Sequence, residues 1–390
     1  MLAVLLLHGL AALCAPAILK RTGRSGFYAV ALVPLGSLIW LFTQTPRVYG
    51  ESGEWYSTLE WIPQLGITLA FRMDALAYMM SLLILGVGAL VLIYCALYFK
   101  SDADGIGAFA AQLVAFAGAM FGLVTADDLL VLFVFWEITS VLSFLLISYS
   151  RTKLAARRAA LQALVITTAG GLAMLVGMIM LGEAAGTYRV SQIVDAAPEL
   201  MATSATLNAA IILILAGAIS KSALFPTHFW LPAAMAAPTP VSAYLHAAAM
   251  VKAGIYLVAR FAPGFAATEW WLPVTVSLGL ATMIFGAGWP APVRPQTHPR
   301  LRHRESVGLH HRGHQFWFRG HGHGRHGHGH GPRSVQGHPV PVRGHHRPPG
   351  RNARHPQALG CGAQCSQVVR RFAHRCRVHG GCATAVRFRD

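Results

Sequence analysis

Three hundred and ninety residues would allow two or three soluble domains by length, but 54% hydrophobic and only 12% charged residues exclude a soluble protein over most of the chain. Residues 1–289 carry 14 Lys and Arg against 13 acids, with 3 His; residues 290–390 carry 18 Arg, no Lys, 2 acids and 16 His, which is +16 of the formal +17. No single fold explains that break, so the chain reads as an all-α polytopic membrane segment, residues 1–288, followed by a disordered Arg/His/Gly-rich tail, residues 289–390.

A bilayer core takes about 20 mostly apolar residues per helix. In chain order the stretches that qualify are Met1–Leu19, Gly26–Phe42, Met73–Phe99, Phe109–Thr125, Leu129–Ser148, Ala159–Leu181, Leu207–Leu231, Val241–Phe261 and Trp271–Phe285. All nine are predicted helical, because the period-2 alternation of a barrel is absent. The first is expected to be retained: no small-residue cleavage site precedes Lys20-Arg21, and eight more spans follow. The 183–206 connection reads as an amphipathic surface stretch, and the 44–70 connection has no clear pattern. Lys20, Arg21, Arg24, Lys100, Arg151, Lys153, Arg157 and Arg158 fall in the loops after spans one, three and five. The opposite loops hold Glu51, Glu54 and Glu60, with Arg47 and Arg189 as their cations. The positive-inside rule therefore predicts an outside N-terminus. Cys14 and Cys95 lie within spans and read as small apolar fillers with no disulfide to form.

A charge at the bilayer centre costs at least about 2.5–3.5 kcal/mol, so the few ionisable residues deep in these spans stand out. Glu137 lies in the middle of LLVLFVFWEITSVLSFLLI, Lys221 inside LNAAIILILAGAISKSALFPTHFW, and Lys252 in VSAYLHAAAMVKAGIYLVARF with His246 six residues earlier. One reading makes them polar groups that pair helices. The other makes them a proton relay, since a Glu–Lys pair in low dielectric attracts by about 4 kcal/mol at 4 Å and loses that attraction when a proton moves. Pro226, with Pro232, Pro238 and Pro240 behind it, is expected to break the Lys221 helix, as interrupted helices do at transport sites. On a regular helix His246 and Lys252 point about 120° apart, so a step between them needs water or another side chain. A lone membrane histidine also serves for packing, and His228 has the weaker claim to a relay role. Asp74 and the Asp127–Asp128 pair head their spans and read as helix caps.

FRMDALAYMMSLLILGVGALVLIYCALYF, VFWEITSVLSFLLISY and above all KSALFPTHFWLPAAMAAPTPVSAYLHAAAMVKAGIYLVARF resemble the A subunit of multisubunit Mrp-type Na+/H+ antiporters, related to the proton-pumping membrane subunits of NADH:quinone oxidoreductase. The resemblance covers essentially all of residues 1–288. It implies an antiporter-like helix bundle and a secondary transporter component, not an enzyme. It also implies Na+ and H+ as transported ions, other antiporter subunits and the lipid bilayer as partners, a plasma-membrane location, and no cofactor or metal. Glu137 and Lys221 match the family's key pair, and Lys252 with His246 its continuation toward the membrane centre. The WEITS string favours the antiporter branch; a proton-pumping subunit of a quinone oxidoreductase or membrane-bound hydrogenase is the alternative. The family pattern runs on through further spans that this chain lacks, so a truncated version, inactive alone, is expected.

The tail offers Gly/His repeats as a metal tract, an Arg-rich nucleic-acid arm, and Cys361, Cys365, Cys376 and Cys382 as zinc ligands. The cysteines lack the close pairs of zinc sites, and 18 Arg without a Lys is odd for a basic arm. A frameshift explains more. Permissible codons for residues 294–308, read one base later, give Asp-Leu-Lys-Arg-Thr-Leu-Gly-Tyr-Ala-Thr-Val-Ser-Gln-Leu, which resembles the family's DLK…LAYSTVSQLG. Codons for 337–342 and 344–349 similarly yield Ala-Thr-Leu-Phe-Leu-Phe and Ile-Ile-Asp-Arg, the latter like the family's VGIID. No nucleic-acid partner is expected on this reading.

Overall fold

The computed structural model describes residues 1–50, 53–62, 67–100, 104–149, 153–203, 205–266, 268 and 271–287. The tail, 289–390, with its four cysteines, lies outside the described residues, as do Glu51 and Arg151 of the charge pattern. Helices α1 (Leu2–Thr22) and α2 (Gly26–Thr43) are joined by a tight turn at Gly23–Ser25, where Gly23 takes a φ of +61° that side chains disfavour. A short α3 (Thr45–Val48) leads to strands β1 (Trp55–Ile62) and β2 (Ile67–Met73). Four long helices follow: α4 (Ala75–Tyr98), α5 (Ile106–Thr125), α6 (Leu129–Ile147) and α7 (Leu154–Ala185). Next come α8 (Val190–Thr203), α9 (Ala205–Lys221), α10 (Trp230–Ala234) and α11 (Thr239–Val241). A π-helical turn at Ser242–Ala248, α12 (Lys252–Phe265) and α13 (Trp271–Ala287) complete the order.

Among the described residues six segments are long and apolar enough to cross a membrane, and one of them, Leu2–Thr43, contains the first two predicted spans. Leu207–Lys221 and Trp271–Gly286 are shorter apolar helices. Helix α8 is the expected amphipathic connector: Val190, Ile193 and Ala197 are buried at helical spacing. Cys95 is buried, Cys14 is exposed, and both are free thiols.

The 44–70 connection holds a hairpin that the sequence reading did not assign. Trp55 pairs with Met73, Tyr56 with Arg72 and Leu59 with Leu69, antiparallel, with a register shift between Glu60 and Ile62. Aromatic and β-branched residues favour such a ladder. Ala70, Phe71 and Met73 are buried, and the Asp127 amide donates to Ala70 O at 2.8 Å, which ties the hairpin to the α5–α6 turn.

Helix α1 packs mainly on α5, α2 on α4, α6 on α5 and α7, and α7 on α9. Lipid is as apolar as leucine, so close contact between small residues must supply the attraction between helices. A Cβ on Gly177 of α7 would fall 2.4 Å from Ala210 O of α9, and one on Gly217 of α9 would fall 2.6 Å from Met174 Cβ of α7. At the α9–α12 crossing, a Cβ on Gly254 would meet Ala218 O at 2.2 Å and Ser222 Oγ at 2.3 Å. Phenols add polar links: Tyr244 donates to Ile84 O at 2.9 Å and Tyr256 to Val124 O at 2.7 Å.

Gly254→Ala is expected to force α9 and α12 apart and to destabilise the protein by about 1–3 kcal/mol. Gly9→Ala, with nothing within 4 Å of the added carbon, should stay within about 0.5 kcal/mol. Melting of the two variants in detergent checks the contrast.

Candidate functional site

The site is built on α6. Asp128 caps this helix, its Oδ1 accepting from the Leu130 amide at 2.9 Å and the Val131 amide at 3.0 Å. Asp74 caps α4 through the Ala77 amide at 2.9 Å. Both caps were legible in the sequence. Asp127 does something else: it accepts from the Ser191 amide and hydroxyl at 3.0 and 2.8 Å and faces Arg189 at 3.6 Å, so it anchors the start of α8.

From its cap, α6 buries Trp136, Thr139, Ser140 and Ser143, which share one face at helical spacing. The hydroxyls turn their protons back on their own helix: Thr139 Oγ1 donates to Trp136 O at 2.7 Å and Ser140 Oγ to the same carbonyl at 3.2 Å. Their lone pairs are left facing α9. Lys221 fills that position. Its Nζ, on a fully buried side chain, donates to Trp136 O at 2.5 Å, Thr139 Oγ1 at 2.6 Å and Ser140 Oγ at 3.2 Å, and lies 4.4 Å from the centroid of the Trp136 ring.

Glu137 leaves α6 toward α7. Its Oε2 accepts from Thr168 Oγ1 at 3.4 Å, and its Oε1 occupies the space above Gly171, where a Cβ would come within 2.1 Å. Oε1 has no hydrogen-bond partner among the described residues. Glu137 and Lys221 lie in each other's field, but no N···O contact within 4.0 Å joins them. The structure thus brings the two residues to the same place and seats the ammonium on the hydroxyl face, not on the carboxylate.

Lys221 does not lie well inside a continuous span, as its sequence context suggested. It is the last residue of α9. The helix stops five residues before Pro226, and Ala223 takes a φ of +51°. The last carbonyls exchange their helical bonds for turn amides and side-chain donors: Ile219 O accepts from the Leu224 amide at 3.1 Å and Thr227 Oγ1 at 3.2 Å, and Ser220 O from the Ala223 amide at 3.4 Å and Trp230 Nε1 at 2.9 Å.

A second break was not foreseen. The expected span Val241–Phe261 is divided into the π-helical Ser242–Ala248 and α12, which begins at Lys252. The 120° offset expected between His246 and Lys252 assumed a regular helix and does not apply. Such π turns often mark functional positions. The two breaks touch, since Ser222 Oγ donates to Val251 O at 2.6 Å. Each candidate lysine is therefore the chain neighbour of one end of this bond. The side chains diverge: Lys252, half-buried, borders an apolar cavity of about 770 Å³ with Leu35, Leu38, Met79, Leu83 and Leu90. No hydrogen bond or ion pair to it is formed among the described residues. His246 is fully buried with its ring edge-on to Trp230 at 6.1 Å, and His228 lies beside the stacked pair Phe225–Phe285, 5.8 and 6.1 Å from their centroids.

Sequence reasoning missed Thr139, Ser140, Ser222, Gly171 and Arg260. The i+3 and i+4 hydroxyls after Trp136 were the available signal for the first two. Arg260 lies on the same stripe of α12 as Lys252 and Tyr256. It is buried, donates from Nε to Tyr256 Oη at 2.9 Å and pairs through Nη1 with Asp74 Oδ2, while Arg72 pairs with Glu54 at 2.7 Å and reaches Asp74 at 4.0 Å.

Residues 126–290 match the family described as NADH:quinone oxidoreductase/Mrp antiporter, TM, and residues 61–110 match NADH-Ubiquinone oxidoreductase (complex I), chain 5 N-terminus. The chain is 42% identical over 267 residues to the A subunit of the Na(+)/H(+) antiporter of Alkalihalophilus pseudofirmus, covering 68% of this chain and 33% of that protein. It is 45% identical over 237 residues to the A/B subunit of a probable K(+)/H(+) antiporter of Rhizobium meliloti, covering 61% and 24%. A solved Mrp complex from Dietzia sp. DQ12-45-1b superposes with a TM-score of 0.70 at 30% identity, over 81% of this chain and 36% of that one. An archaeal membrane-bound sulfane sulfur reductase, at 24% identity and a TM-score of 0.65, shares the fold. The chain spans between a quarter and a third of the length of these two antiporter relatives.

Asp74→Asn would leave the buried Arg260 guanidinium without its carboxylate and is expected to cost about 3 kcal/mol. Glu54→Gln, at the more exposed end of the same network, should cost under about 1 kcal/mol. Denaturation of both variants, with Asp74→Asn/Arg260→Met recovering most of the first loss, checks the assignment.

Proposed function

This chain belongs to the family of membrane subunits shared by NADH:quinone oxidoreductases and Mrp antiporters, and on that premise we propose that it serves a multisubunit Na+/H+ antiporter of the plasma membrane as a secondary transporter component. The N-terminus faces out, the bilayer surrounds the helices, and small antiporter subunits complete the assembly. The observation that carries this reading is a buried ammonium at the end of an interrupted helix, within the field of a half-buried carboxylate it does not touch.

Two positions are open to that ammonium. Docked on Trp136, Thr139 and Ser140, it leaves Glu137 free to exchange a proton. Drawn onto Glu137, it gains a Coulomb attraction of about 4 kcal/mol at 4 Å for an effective dielectric near 20. A proton crossing 100 mV gains about 2.3 kcal/mol, the same order as that attraction, so proton entry biases the lysine between them without supplying the whole difference. Lys252 is the next station, its backbone coupled to that of Lys221 by the Ser222–Val251 bond between the two helix breaks, with His246 assisting. The relatives' names and the WEITS string both favour cation/proton antiport over a role in a redox complex.

The test is sodium-dependent dequenching of a pH-sensitive dye in everted vesicles that carry this chain with the other antiporter subunits. Glu137→Gln and Lys221→Ala should each lower the response by at least about tenfold, as expected when about 1.4 kcal/mol of coupling is removed. Wild-type vesicles that show no sodium response, or a Glu137→Gln variant as active as the wild type, would overturn the reading.

A further inference from the structure

The position that holds the Lys221 ammonium is a cation site, whatever cation occupies it. Three oxygens converge there: the Trp136 carbonyl and the Thr139 and Ser140 hydroxyls, at 2.5, 2.6 and 3.2 Å from Nζ. Both hydroxyl protons are spent on the Trp136 carbonyl, so the two side chains present lone pairs only. An ammonium, which has only protons to donate, and an alkali ion, which can only accept lone pairs, both require that orientation, so the position suits either cation. The Trp136 ring attracts any monocation, and backbone and hydroxyl oxygens can replace the hydration shell of an alkali ion, as carbonyl rings do in channels.

We propose that the Trp136–Thr139–Ser140 cradle is the binding site for the transported monovalent cation, and that the protonated Lys221 and a dehydrated Na+ occupy it in turn. The proposal rests on the antiport reading above and assigns the cation's place within it. Charge balance enforces the alternation. Glu137 supplies one negative charge, so the cradle holds one positive charge at a time, either the lysine's proton or the alkali ion. Proton uptake by Lys221 expels Na+, and Na+ entry requires that the lysine surrender its proton. One site with two mutually exclusive occupants is sufficient for antiport.

The groups that face this point are few. Among the described residues the Lys221 ammonium lies in the field of Glu137, against whose carboxyl α7 sets Thr168 and Gly171, while Lys252 borders the apolar cavity and His246 sits edge-on to Trp230. Of these, Lys221 alone has its charged atom in the cradle.

Direct binding of radiosodium to the purified full chain in lipid nanodiscs tests the idea without transport. Wild-type affinity should rise with pH as Lys221 vacates the cradle. Lys221→Met should bind sodium at least about tenfold more tightly at neutral pH, or about 1.4 kcal/mol, and lose that pH dependence. Thr139→Val/Ser140→Ala should bind at least about tenfold more weakly in either background. Should Lys221→Met fail to fold, the wild-type pH series against the hydroxyl-deleted variant decides the matter alone. Sodium binding indifferent to Thr139 and Ser140, or no tighter in a folded Lys221→Met, overturns the site even where vesicles exchange Na+ for H+. The expected binding pattern in a chain whose vesicles exchange nothing would leave the site standing and remove the antiport reading.

Discussion

An ammonium buried among apolar helices must find oxygens, and the helices around Lys221 are arranged to supply them. A helix interior has none to spare, because each backbone carbonyl already accepts from the amide four residues on. Helix α6 meets the need by loading one carbonyl, that of Trp136, with two hydroxyl donors from its own next turn and turning the same hydroxyls toward α9. For the lysine to reach them, α9 must lie tightly against α7, which itself packs on α6. The glycine contacts between α7 and α9 allow that approach, and the end of α9 at Lys221 itself frees the chain to turn away. The position of the charge therefore fixes the place of the break.

The break creates a second requirement. Carbonyls released at the end of α9 cannot turn to water in a bilayer, so Thr227 and Trp230 fold back over them. Ser222, the first residue past the helix, finds its acceptor at Val251, which is freed by the other interruption. Two broken helices satisfying each other form one mechanical unit: a shift of the backbone at Lys221 cannot occur without disturbing the residue before Lys252. The connection is made at backbone level and needs no contact between the two lysine side chains.

Much of this was legible in the sequence, and the reasons for the rest are physical. Apolar runs of sufficient length located the helices, and the carboxylates of Asp74 and Asp128 marked two helix starts as caps. Pro226 signalled an interruption, but its position came out several residues late, because the helix yields where its carbonyls find side-chain donors and not at the proline ring. The π turn at Ser242–Ala248 carries no proline or glycine and left no local trace; it is stabilised by packing, as in the bond from Tyr244 to Ile84 O. The hairpin leaves a weak trace, because WYSTLEWI is a single short run whose register depends on pairing with β2. The hydroxyls after Trp136 attracted no notice because serine and threonine in a membrane helix commonly bond their own backbone, as these do. Only the arrival of a lysine from 82 residues away gives their lone pairs a purpose.

Helix α12 carries two cations eight residues apart on one stripe, and their surroundings differ in a way that separates scaffold from mechanism. Arg260 is held at two of its nitrogens, Nη1 by Asp74 from the head of α4 and Nε by the Tyr256 phenol, which is itself fixed on the carbonyl of Val124, while its Nη2 has no partner among the described residues. A buried charge so enclosed is accounted for by the architecture, since it locks α12 to α4 and α5 and has little freedom to do more. Lys252 is given nothing comparable. It borders an apolar cavity that its neighbours line with leucine and methionine, where packing alone would place another aliphatic residue at lower cost. A charge kept where the fold does not require one, at the head of a helix whose other end is fastened, is the one whose state can change without unfastening the helix. That asymmetry argues for Lys252, and against Arg260, as the group on α12 that takes part in proton movement.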